Sequence, residues 1–261
     1  MIARFFALSG LMAAMLASGC SQPVEPSTQD RSASPFREGA SSHQAQAAYV
    51  YVMNAQALVA IYSARTKQPT QQLTIPGPSD MAVDRFGNVY VADGPGGFVR
   101  FYKSAGPGIV KRTNQIRMNK PDALVADLSG NLFVLKAGQT IVEYPPGKAA
   151  PSRVIGGLFG IVAMVVDHSG NLYVVNGNNP QGGSVSVYKP GATVPYRKLT
   201  RGLVNPVAIA VDSSNNVFVA NYVGNSGYVT EFGFKGSVPK RTIRQGIGQI
   251  RAMAVSPSAS L

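Results

Sequence analysis

The sequence predicts an all-β fold, a single β-propeller, on three observations. Four segments align without gaps: MAVDRFGNVYVAD (81–93), LVADLSGNLFVLK (124–136), MVVDHSGNLYVVN (164–176) and IAVDSSNNVFVAN (209–221). Their aspartates, Asp84, Asp127, Asp167 and Asp212, stand 43, 40 and 45 residues apart, and self-similarity at such a period marks a repeat architecture. Two further strand-like runs follow in each period, so four short strands recur per repeat, the content of one propeller blade.

The elements follow in chain order. Arg4 supplies a positive charge, Phe5 to Leu16 is an unbroken run of apolar and small residues, and Ala17-Ser18-Gly19 precedes Cys20. That order matches an export signal, and the run is too short to cross a bilayer as a mature helix. Small residues directly before a cysteine resemble the bacterial lipobox. The resemblance implies that residues 1–19 are a lipoprotein signal peptide and that Cys20 is acylated. Residues 20–46, rich in Ser, Gln and Pro, read as a flexible tether, and 47–261 as the propeller. Cys20 is the only cysteine of the chain, so the domain has no disulfide to draw on and stands on its core.

Each repeat opens with a hairpin. Apolar strand-forming residues flank D-x-x-G-N or D-x-x-N-N, where the carboxylate can cap the turn and Gly or Asn tolerates the left-handed backbone. Aromatics recur in register in the second strand (Tyr51, Tyr90, Phe133, Tyr173, Phe218) and at the end of the third (Tyr62, Tyr102, Tyr144, Tyr188, Phe232). A Pro/Gly-rich turn and a short fourth strand complete the unit. The segment AAYVYVMN begins at the second strand of a repeat, and MAVSPSASL, from 253, ends where a first strand would stop. Together they make one blade shared by the two ends, so the expected ring has about five blades, with six as the alternative. Such closure removes an open sheet edge.

The segment VDxxGNxYVxN resembles the NHL repeat and, more broadly, the propellers of the gluconolactonase (SMP-30) and streptogramin-lyase-like groups. The resemblance spans nearly all of 47–261 and implies the architecture, while function has to be argued from sites.

By period-two alternation, the residues two and four before each turn aspartate, such as Ala82, Val125, Val165 and Ala210, are expected to line the channel. The residues of opposite parity (Met81, Leu124, Met164, Ile209, Met253) are expected between blades. The ligand face is expected at the other end of the strands from the turns, at Asn54, Ser79, Asp80, Asp93, Asp122, Lys136, Asn176, Asn221 and Arg251. This set resembles in type the Asn/Asp ring that holds a divalent cation in gluconolactonase-like enzymes. It lacks a glutamate, and it has Lys136 where a metal would want oxygen. No metal site or other cofactor is therefore assigned. A divalent cation held by Asp80, Asp93 and Asp122 is the alternative, and with it a metal-dependent hydrolase or lyase.

Other chemistry finds little support. His43 lies in the tether and His168 in a turn, away from the expected ligand face. There is no Gly-x-Ser-x-Gly elbow. The chain is strongly basic, with 24 Lys and Arg against 12 Asp and Glu. Lys111, Arg112, Arg153, Arg197, Lys198, Lys240 and Arg241 recur on or beside the outermost strand. They either guard exposed edges or form a positive rim for an anionic partner. The expected function is a non-enzymatic binding module of the cell envelope, held to a membrane through Cys20 and recognising a protein, glycan or anionic surface. Its expected place is the outer membrane of a Gram-negative cell, or otherwise the extracytoplasmic face of the plasma membrane. Nucleic acid is not an expected partner.

Overall fold

The structure, a computed structural model, describes residues 49–54, 58–63, 66–177, 182–224, 226–244, 247, 250 and 253–254. The predicted signal peptide, Cys20, the tether, Arg251 and most of the closing strand lie outside these residues, as does the side chain of Asn54.

The described residues are all-β. The first sheet has three strands, β1 (Tyr49–Asn54), β2 (Leu58–Ser63) and β3 (Pro69–Thr74). The second has β4 (Pro78–Val83), β5 (Val89–Asp93), β6 (Phe98–Gly106) and β7 (Ile109–Arg117), and the third β8 (Pro121–Ala126), β9 (Leu132–Lys136), β10 (Thr140–Tyr144) and β11 (Arg153–Ile155). The fourth is β12 (Ile161–Val166), β13 (Leu172–Asn176), β14 (Ser184–Tyr188) and β15 (Arg197–Leu199). The fifth is β16 (Pro206–Val211), β17 (Val217–Val223), β18 (Ser226–Phe232) and β19 (Pro239–Ile243). Every sheet is an antiparallel meander in chain order. The arrangement is propeller-like, and among the described residues the first sheet has three strands, the segment expected to supply its innermost strand lying largely outside them.

The repeated turn explains the hairpins. Asp84 Oδ1 accepts the N–H groups of Phe86 and Asn88, both at 2.9 Å, and Oδ2 accepts the Asn88 amide at 2.7 Å. Asp127, Asp167 and Asp212 repeat this pattern on the residues two and four further on. The fourth turn residue has positive φ: 77° at Gly87, 84° at Gly130, 78° at Gly170 and 60° at Asn215. Glycine and asparagine are the residues that tolerate this conformation. Tyr90 and Tyr173 add a hydroxyl donated to Asp84 and Asp167 at 3.0 Å, while Phe133 and Phe218 occupy the same register without one.

The core lies between sheets. Met81, Val89 and Val91 pack with Val59 and Ile61 of the first sheet and with Ile75 just after it; Leu124 packs with Tyr90, Val99 and Phe101 of the second. Met164 joins the third sheet, and Ile209 the fourth. The expectation for this parity holds at these four positions. The expectation for the other parity does not. Ala82 packs in the cluster of Leu124, Val125 in that of Met164, and Val165 in that of Ile209. A sheet that stands between two others uses both faces for contact, so both parities of its inner strand are buried between sheets.

Candidate binding surface

The polar residues expected at the loop ends of the strands are mostly engaged by backbone groups or neighbouring side chains, and Ser79 and Asp80 bridge two sheets. Asp80 is 3% exposed and bridges two sheets, accepting the Met81 N–H at 2.8 Å and the Leu124 N–H at 2.7 Å. The inner edge of β8 has no partner strand to take that N–H, and the carboxylate stands in for one. Burial pushes its pKa up to about 7, against the lowering effect of the two backbone bonds. Asp93 is fully buried, paired with Arg100 at 2.5 Å and accepting the Gly96 N–H at 2.8 Å. Ser79 donates to the Pro121 carbonyl at 2.8 Å, again from the second sheet to the third.

Asn221 is equally enclosed. Its Oδ1 accepts the Val204 N–H at 3.0 Å, and its Nδ2 donates to Val219 O at 3.0 Å and Thr230 Oγ1 at 3.2 Å. Asn176 donates to the Phe159 carbonyl at 3.0 Å. Asp122 and Lys136 are half-buried near the same end. Of the residues expected on the ligand face, Ser79, Asp80, Asp93, Asn176 and Asn221 use their side chains on backbone groups or a neighbouring side chain. Among the described residues, no three Asp, Glu, His or Cys side chains converge as a metal-binding group, so Asp80, Asp93 and Asp122 do not form the alternative cation site.

The basic rim divides in the same way. Arg153, Arg197 and Arg241 hold one register position, paired across the outer strands with Glu143, Val187 and Glu231. Arg153 is 7% exposed and donates to Lys189 O at 3.0 Å and Ala192 O at 2.7 Å, in the outer turn of the fourth sheet. Its Nε also stands 2.5 Å from Glu143 Oε2, a charge contact without hydrogen-bond alignment. Arg197 donates to Gly236 O at 3.1 Å in the outer turn of the fifth sheet and to the Tyr173 hydroxyl at 3.3 Å. Gln71 of the first sheet exchanges two bonds with the Val110 backbone of the second. Arg153 and Arg197 are thus ties between neighbouring sheets, not rim groups. Lys240 and Arg241 are exposed and pair with the buried Glu231. Arg112 donates to Gln115, while Lys111 and Lys198 are exposed.

These ties leave a surface dominated by positive charge. All nine Asp and Glu residues from 49 onward are buried or half-buried, whereas fifteen of the nineteen described Lys and Arg residues are exposed. The turn end of the strands adds exposed aromatics beside cations. Arg85 lies 4.6 Å over the Phe86 ring, Lys235 4.9 Å over Phe234, and Lys189 5.2 Å from Tyr196. Sequence reasoning passed over these groups, although the pairs Arg85-Phe86, Tyr196-Arg197 and Phe234-Lys235 are adjacent in the chain. His168 is exposed, as expected, at the edge of a hollow of about 200 Å³ between the third and fourth turns, and its N–H bonds to Asn215.

No family model matches the chain, and no curated protein matches it. The chain matches 1121 chains of solved structure. One of them, hydrazine synthase from Kuenenia stuttgartiensis, is similar with a TM-score of 0.57 at 14% identity, over 70% of this chain and 52% of that one. This chain therefore spans about half the length of that protein, and the likeness is one of fold.

Proposed function

We propose that this chain is a non-enzymatic lipoprotein of the cell envelope, lipidated at Cys20, whose NHL-like propeller binds an anionic envelope component. The ring has five blades, and the strand after Met253 completes the first sheet. Support for closure comes from the three described strands of that sheet, where the other sheets have four, and from Met253, which packs against Ala208 and Ala220 of the fifth.

The positive surface carries the binding reading. With the carboxylates of the described domain buried or half-buried and most of its cations exposed, a net positive potential extends into solvent. The expected partner is an acidic protein face, an acidic glycan or an anionic lipid surface. A crosslinking pull-down of the lipidated protein from native membranes tests this, with a charge-reversed version (Lys111→Glu, Arg112→Glu, Lys198→Glu) in parallel. These three exposed side chains make none of the ties between sheets. A discrete captured component that is lost with charge reversal supports the reading. Capture that is indifferent to the three charges overturns it.

A further inference from the structure

Resting on that envelope reading, we infer that the turn end of the sheets is a docking face for an anionic bilayer surface. Three turns from three different sheets present the same chemistry there. Arg85-Phe86 lies between β4 and β5, Lys189 and Tyr196 between β14 and β15, and Phe234-Lys235 between β18 and β19. Phe86, Tyr196 and Phe234 are 53%, 43% and 46% exposed, and Val194 and Val238 beside them are 73% and 60% exposed.

The turns form one continuous end. The Phe86 ring lies beside Gly130 of the third sheet, Arg153 reaches the fourth sheet's outer turn, and Arg197 reaches the fifth's. Apolar rings flanked by cations suit the boundary between acyl chains and acidic headgroups, where the ring enters and the ammonium stays with phosphate.

The course of the chain points to the same end. Tyr49 opens β1 at the turn end, opposite Ser63, and a Cβ on Gly108 in the β6–β7 turn would stand 2.3 Å from its ring. The 48 residues before Tyr49, with Cys20 among them, therefore join the domain on the face that carries these rings. An anchor reached from this end lets the face meet the membrane without the chain having to pass around the domain.

The test is flotation of the chain from Ser21 to Leu261, so that neither the apolar run Phe5–Leu16 nor an acyl chain contributes. The vesicles are phosphatidylcholine, or phosphatidylcholine mixed with phosphatidylglycerol. Binding to the mixed vesicles alone is expected, weakening as salt is raised. Lys189→Glu with Lys235→Glu is expected to lower partition about tenfold or more, since each surface cation contributes appreciably at an anionic membrane. Phe86→Ala with Phe234→Ala lowers it at unchanged net charge.

Arg117→Glu with Arg201→Glu, at the loop end, is the comparison, with circular dichroism confirming that every variant folds. An equal loss in the loop-end pair overturns the docking face. So does an absence of binding to the mixed vesicles, or binding to soluble polyglutamate with none to vesicles. Radiolabelled palmitate incorporation into the unaltered chain reports the anchor separately, so the two readings can fail independently.

Discussion

The Asp80 carboxylate accepts the backbone N–H of Leu124 at 2.7 Å across the boundary between the second and third sheets. Because burial raises its pKa to about 7, the folded chain holds a proton that the unfolded chain has released above the ordinary value of 3.8. The sign follows from linkage: the stabilisation is present below about pH 4 and is lost as pH rises through about 7. Urea unfolding of the native chain and of Asp80→Ala at several pH values should show their stability difference shrinking as pH rises through this window. A constant difference would mean that Asp80 is ionised throughout.

Arg153 and Arg241 share a register position but not a fate. Arg153→Lys should cost roughly 1–3 kcal/mol, because two carbonyls in the next sheet lose their donors. Arg241→Ala should cost about 1 kcal/mol or less, because the side chain is 63% exposed and Lys240 still pairs with Glu231. Removing Lys240 and Arg241 together should cost more than the two single losses combined, since Glu231 is then buried without a counter-ion. Chemical denaturation of the four variants measures each term.

The two turn tyrosines should stay protonated well above the usual range. Burial first, and then the charges of Asp84 and Asp167, push the Tyr90 and Tyr173 phenols up. Ultraviolet titration at 295 nm should therefore show these hydroxyls ionising only as the fold is lost. Tyr90→Phe and Tyr173→Phe should each cost about 1 kcal/mol, since Phe133 and Phe218 show that the turn forms without the hydroxyl.

Gly183→Ala should be among the most damaging small substitutions. An added Cβ would stand 1.8 Å from Pro206 Cδ, where β16 begins, and the ring cannot move without shifting that strand. Gly156→Ala meets nothing within 4 Å and should be close to neutral. Thermal unfolding of the pair isolates the steric effect.

The repeat was readable in the sequence because its rule is local. An aspartate four residues before an asparagine closes its own turn, whatever packs around it, so Asp84, Asp127, Asp167 and Asp212 behave as their spacing implies. The partners of Asp80, Asn221 and Arg153 were not legible, because Leu124, Val204 and the Lys189 and Ala192 carbonyls belong to a different sheet or an adjoining loop. A side chain aligned on its own repeat says nothing about an unpaired N–H some forty residues away. The inner strands were misread for a related reason: alternation names two faces, but only tertiary structure says what each one meets. Arg153 and Arg241 make the point most sharply, since identical alignment gave one a neighbouring turn to bind and left the other facing solvent.

The inward placement of the nine carboxylates has a consequence for how copies of this domain meet. Where two described surfaces approach, the exposed charged groups are cations, so the net charges repel at distances within the ionic screening length. Such molecules stay dispersed until a polyanion is interposed. Their spacing is then set by that polyanion and not by any contact of their own, so the arrangement of many copies would report the layout of the negative surface beneath them.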